Sequence, residues 1–250
     1  MQGRKGKADQ KAFPQVSAMG GKPPNGGAMR TVIFDLDGTL ADTSGDLIAA
    51  ANSCFDGLGL GALLDPVADQ AAAFKGGRAM LSLGFERAGP TYGPADVETQ
   101  FPIFLQAYAD AIDVQTTLYP GVVDAIERLR SGGVLVGVCT NKPEGLAETL
   151  LARLGVRGLF GSMIGADTLP TRKPDPAPYV ASVQQAGGEV ARSILIGDTI
   201  TDRDTARAAG VPCALVTFGP DGRDVAELEP EALLDHYDHL DDVVVRLLGA

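Results

Sequence analysis

Two aspartates one residue apart close the most strand-like stretch of the chain, Thr31-Val32-Ile33-Phe34-Asp35-Leu36-Asp37-Gly38. Four strand-forming residues lead into Asp35, which places it at the carboxyl end of a buried strand. In open α/β sheets that is where ligands bind. Gly38 permits the sharp turn that follows. Three further polar signals stand at or just after other strand-like runs: Thr140-Asn141, Lys173 within Arg172-Lys173-Pro174-Asp175-Pro176, and Asp198 with Asp202. All strand carboxyl ends of a parallel sheet share one edge, so these groups are expected to converge.

Four carboxylates gathered at one edge (Asp35, Asp37, Asp198 and Asp202) repel one another unless a cation is present. Mg²⁺ fits, because it prefers a few carboxylates with waters and phosphate oxygens. Zinc would call for His or Cys, and His236 and His239 are expected in a C-terminal helical tail away from this edge. With a metal, Asp35 can attack a phosphoryl group and form an aspartyl-phosphate. Asp37 can protonate the leaving oxygen and then deprotonate the attacking water. Lys173 would neutralise carboxylate and phosphate. Thr140 and the backbone N–H after it, with Asn141 alongside, would hold phosphoryl oxygens. Lys75 and Arg78 are candidate contacts for a substrate carboxylate or a second anion, since Arg offers a bidentate fork.

The elements that must position these groups are read from periodicity. Continuous apolar runs at residues 134–139, 193–197 and 213–217 suit parallel strands covered on both faces, and 162–166 reads as a shorter strand. Helical patterns fall between them at 122–129, 144–154, 176–186 and 201–209, with further helices at 228–234 and 240–248. Residues 46–55, 67–74, 78–88 and 94–112 carry only helical spacing and interrupt the strand–helix alternation. The expected architecture is an α/β, doubly wound parallel-sheet (Rossmann-like) core with a small inserted α-helical subdomain. Residues 29–43 and 119–250 form the core and 44–118 the insert. Residues 1–28, rich in Gly, Lys, Pro and Gln, are expected to be a disordered extension.

Composition narrows the function. A net charge of −11 argues against nucleic acid as a partner, and no apolar run is long enough to span a membrane. The same negative field repels a phosphate ester, so a phosphate site needs local cations and backbone N–H groups. Cys54, Cys139 and Cys213 are scattered and odd in number, which suits reduced core residues in a cytoplasmic setting.

This set of motifs resembles the haloacid dehalogenase superfamily of phosphohydrolases, over nearly everything from Met29 to Phe218. Residues 34–40 look like its first motif, with Asp35 as nucleophile and Asp37 as acid/base. Residues 138–142, Lys173 and residues 197–202 look like the second, third and fourth, with Thr199 where the family more often has Ser. The resemblance implies Mg²⁺ held by the Asp35 side chain, the Asp37 backbone carbonyl and the Asp198 side chain, with Asp202 auxiliary. The helical insert is similar to the small cap that follows the first motif. Residues 75–81, 118–122 and 140–143 resemble bacterial phosphoglycolate phosphatases, which implies 2-phosphoglycolate as substrate. A nucleotide or sugar-phosphate phosphatase and a phosphomutase are the alternatives. A receiver-like phospho-acceptor domain is the non-enzymatic one, disfavoured by Asp37 and by the insert. The expected partner is a small phosphorylated metabolite, and the chain a monomer or homodimer.

Overall fold

The computed structural model describes residues 29–249. The expectation for residues 1–28 lies outside them. Six parallel strands form one sheet: β1 (Thr31–Phe34), β4 (Leu135–Cys139), β5 (Ser162–Ile164), β6 (Ser193–Gly197), β7 (Cys213–Val216) and β8 (Ala232–Leu234), in the order β5-β4-β1-β6-β7-β8. β1 is central because all four of its residues are buried and its backbone pairs on both sides, Val32 with Val136 and with Ile194. Helices cover both faces: α5 (Val122–Ser131), α6 (Glu144–Arg153), α7 (Pro176–Gln185), α8 (Ile200–Ala209) and α9 (Leu240–Leu248). The core is therefore the expected Rossmann-like α/β sheet.

A second pair of strands, β2 (Ala41–Asp42) and β3 (Thr117–Leu118), is antiparallel and only two residues long. It brackets four helices, α1 (Ser44–Gly57), α2 (Gln70–Phe74), α3 (Gly77–Ala88) and α4 (Pro94–Asp110), which pack on one another. Asp46 in the first turn of α1 reinforces this bracket. Its buried carboxylate accepts from the backbone N–H groups of Gln115 and Thr116 and from the Thr116 hydroxyl at 2.8–3.0 Å. A carboxylate so fully hydrogen-bonded can be buried without a counter-ion.

Two expectations need correction. The helix expected at 228–234 does not form. A 3₁₀ turn (Gly222–Leu228) ends at Glu229, whose φ is +53°, and Pro230 follows. Proline denies the α region to the residue before it and cannot donate to a helix. The chain leaves extended and Ala232–Leu234 become the sixth strand, pairing with β7. The helix expected from residue 67 begins at Gln70 instead. Asp65 Oδ1 accepts from the N–H groups of Val67 and Ala68, an Asx turn that competes with helix. His236 caps a 3₁₀ turn (Tyr237–His239) whose last residue, His239, leads into α9. All three cysteines are buried and free. No helix among the described residues is long and apolar enough to cross a membrane.

Candidate active site

The turn after β1 is built by local hydrogen bonds. Asp35 stays on the sheet ladder, its N–H donating to the Ile196 carbonyl at 2.9 Å. The Leu36 carbonyl then accepts from the N–H groups of Thr39, Leu40 and Ala41, which reverses the chain. Gly38 sits at φ +83°, and a Cβ there would collide with Asp198 Oδ2. Only glycine meets both the backbone and the space requirement.

The expected convergence at the carboxyl edge is observed for most of the site. Lys173 Nζ lies 2.8 Å from Asp35 Oδ1 and 2.6 Å from Asp202 Oδ1, although Lys173 and Asp35 are 138 residues apart. Asp202 is fully used, because its Oδ2 accepts from the backbone N–H groups of Asp198 and Thr199 and from the Thr199 hydroxyl. This is the capping box at the start of α8. The Thr199-x-x-Asp202 spacing was a readable signal for that role, which sequence reasoning did not assign. Thr140 is buried, and its Oγ1 accepts from the Lys142 N–H at 3.1 Å. The Asn141 amide donates to the Lys173 carbonyl at 3.0 Å, tying two of the motif loops together.

A cavity of about 440 Å³ opens over these groups. Asp35, Asp37, Thr140 and Lys173 line its floor from the sheet edge. Phe74 lines it from α2 and Phe101, Phe104 and Tyr108 from α4, with Lys75 just after α2. Arg78 is not among its lining residues. It makes a bidentate pair with Glu98 at 2.7 and 2.9 Å, and its guanidinium stacks 3.6 Å from the Phe101 ring centre. The two acceptor oxygens of Glu98 take the fork that was expected to bind a substrate anion. Lys142, which sequence reasoning did not single out, enters the site instead. Its ammonium is buried 2.6 Å from Asp37 Oδ1, and nothing in the sequence signals a contact across 105 residues.

Burial dominates the electrostatics. It pushes the Asp35 carboxyl up to about 6, against the pull of Lys173. It pushes Asp198 well above the usual carboxylate range, aided by Asp202 and Asp35. The Lys173 ammonium is pulled down by burial, but Asp202 and Asp35 outweigh this and hold it well above the ordinary lysine value. Two ammonium groups, Lys142 and Lys173, stand among the four carboxylates at this edge.

The donor set fits a divalent cation. Asp35, Asp198 and Asp202 bring carboxylate oxygens within 4.8 Å of one another. Asp198 Oδ1 accepts from the Thr39 hydroxyl at 3.0 Å, while its Oδ2 is buried with no hydrogen-bond partner. A buried anionic oxygen without a donor is costly unless a cation meets it. The donors are all hard oxygens, which suits magnesium rather than zinc.

This sheet and this edge define a Rossmann-like hydrolase. The family model for haloacid dehalogenase-like hydrolases matches residues 32–216, and the chain belongs to that family. It is 37% identical over 220 residues to a phosphoglycolate phosphatase of Mesorhizobium japonicum, covering 88% of this chain and 96% of that one. A phosphoglycolate phosphatase of Cereibacter sphaeroides is 38% identical over 237 residues, covering 88% and 100%. Among solved structures, CbbY from Rhodobacter sphaeroides in complex with phosphate superposes with a TM-score of 0.70 at 22% identity, covering 85% of this chain and 96% of that one. That likeness is one of fold.

Proposed function

We propose that this chain is a Mg²⁺-dependent phosphatase that hydrolyses a small organic phosphomonoester, 2-phosphoglycolate, through an aspartyl-phosphate on Asp35. The observation that carries the reading is the bridge from Lys173 to Asp35 and Asp202 on the floor of a cavity that Thr140 and Asp37 also line. The Asp35 and Asp198 side chains and the Asp37 backbone carbonyl would hold the metal. Bound magnesium supplies charge neutralisation between the Asp35 carboxylate and the phosphoryl oxygens. Asp202 is assigned to holding Lys173 and the Asp198 turn, since both of its oxygens are occupied. We assign residues 29–43 and 119–250 to the core and 44–118 to a cap.

The Asp35 carboxylate attacks phosphorus, the bond to the leaving oxygen breaks, and Asp37 gives that oxygen its proton. Lys173 keeps Asp35 ionised and faces the incoming phosphoryl charge. The Thr140 hydroxyl, whose oxygen already accepts from Lys142 N–H, is left to donate to a phosphoryl oxygen. Asp37, now a carboxylate, removes a proton from water. The water oxygen attacks phosphorus, releasing phosphate and restoring Asp35. The helical roof excludes bulk water while this happens.

Substrate identity is supported by the two relatives named phosphoglycolate phosphatase. A second reading, a nucleotide or sugar phosphate, is favoured by the aromatic lining of the cavity, which exceeds what a two-carbon leaving group needs. Phosphate release should be measured for 2-phosphoglycolate, nucleoside monophosphates, sugar phosphates and pyrophosphate, with magnesium and with a chelator. The expected result is magnesium-dependent turnover that is fastest on 2-phosphoglycolate. Asp35→Asn should lower it by about 10⁴-fold or more. A faster nucleotide or sugar phosphate would replace the substrate, and full activity in Asp35→Asn would remove the nucleophile.

A further inference from the structure

The environment of Asp37 is asymmetric. Lys142 Nζ at 2.6 Å and Thr43 Oγ1 at 2.7 Å both donate to Oδ1, and Oδ2 has no protein donor among the described residues. Lys142 comes from the turn between β4 and α6, whereas Thr43 stands at the entry to α1. The ammonium is also 4.5 Å from the ring centre of Tyr108, a buried residue of α4. Lys142 is 7% exposed, and Asp37 Oδ1 is the acceptor of its one side-chain hydrogen bond among the described residues. A lysine this buried costs desolvation that an apolar side chain of the same length would avoid. As a mere packing element it would be a poor choice beside a cavity. As an anchor it has a use, because it fixes one oxygen of the proton-transfer group and leaves the other to the substrate.

We propose that Lys142 is a positioning residue for the acid/base chemistry of Asp37: it pins Oδ1 so that Oδ2 is presented to the leaving oxygen. The Tyr108 ring holds the ammonium in place from the helical segment, so the posture of Asp37 depends on where that segment sits. The inference rests on the phosphatase reading. It concerns only the proton delivered to the leaving group, not attack by Asp35.

This restriction makes it testable. An alkyl phosphate such as 2-phosphoglycolate expels a basic alkoxide that needs the proton. p-Nitrophenyl phosphate expels a weakly basic phenolate that does not. In Lys142→Met, kcat/KM should fall about tenfold to a hundredfold on the alkyl phosphate and less than about threefold on p-nitrophenyl phosphate. This ratio reports steps through alcohol release, so later hydrolysis of the aspartyl-phosphate does not enter. Adding Lys142→Met to Asp37→Asn should cost the alkyl phosphate nothing further. Equal losses on both substrates, or an additive loss in the double variant, would overturn the proposal. Lys142→Gln keeps a neutral donor and should show the same discrimination, smaller, if the Met variant does not fold. A crystal structure of the variant gives a readout apart from turnover: the Asp37 carboxylate should leave its present rotamer, and an unmoved carboxylate would also overturn the proposal. A wild-type protein inactive on every phosphate would instead count against the proposed function.

Discussion

The sheet edge and the helices that roof it contribute to one cavity in opposite ways. At the edge, the charged groups are buried, Asp37 partly so, and each is committed: Lys173 to Asp35 and Asp202, Lys142 to Asp37, Asp198 Oδ1 to Thr39. On the helices, the cavity meets aromatic rings, and the charged side chains are turned to partners of their own, Arg78 to Glu98 and Arg87 to Asp69. Lys75 alone among the helical lysines and arginines lines the cavity. The edge holds fixed charge where bond breaking would occur. The roof supplies shape and an aromatic lining, and apolar surroundings strengthen charge interactions. Substitutions at the edge should therefore change the chemical step or the fold, and those in the roof should change binding.

The largest test of this contrast after the nucleophile is at Asp198. Its partnerless oxygen is a burden without metal and an advantage with it. Magnesium at 100 times its dissociation constant should stabilise the wild type by about 2.7 kcal/mol. Asp198→Asn should abolish that rise, remove turnover, and raise the melting temperature of the metal-free protein. Calorimetry with and without magnesium checks all three, and a magnesium-dependent melting shift retained by the variant would break the assignment.

Lys173→Met should cost more in stability. It strands two buried carboxylates, and losing one partner of such a cluster costs about 3–5 kcal/mol. Denaturant unfolding at pH 7 should show this loss, together with loss of activity. In the roof, the expected effects are smaller. Lys75→Ala should raise KM for a carboxylate-bearing phosphate about tenfold, or about 1.4 kcal/mol, with kcat little changed. Arg78→Ala should move KM less than about twofold, because its partner is Glu98 and the pair is solvent-exposed. Steady-state kinetics on both variants would sharpen the division, and reversed magnitudes would break it.

The smallest effect concerns acid. Arg87 and the Asp65 N–H hold the Asp69 carboxyl below the usual range, Arg87 being the larger cause. A carboxylate with a lowered folded-state value adds stability above the unfolded value of about 3.9 and loses it as pH falls through the folded one. Asp69→Asn should therefore lower the melting temperature at pH 7 and less so below about pH 4. An equal loss at both pH values would show that the pair is not what holds this turn to α3.

How legible the molecule was follows the same division. The strands β1, β4, β6 and β7 are continuous apolar runs because helices cover both faces, and the polar residues directly after the first three fall at one edge by topology alone. β8 was not legible. Two leucines and an alanine after Pro230 carry no period, and only pairing with β7 makes them a strand. In the helices, spacing gave the apolar faces but not their partners, so Arg78 and Lys75 looked alike in sequence.

The sequence by itself determined the order of elements from β4 to β7, the residue types at the strand ends and the expectation of a cation among four carboxylates. These follow from local pattern and from the sign of charge. Only the tertiary structure decided that Lys142 meets Asp37, that Arg78 is spent on Glu98, and that the other oxygen of the capping Asp202 holds Lys173. Those outcomes depend on which side chains come within about 3 Å across long sequence separations, and a hydrogen bond weakens steeply beyond that range.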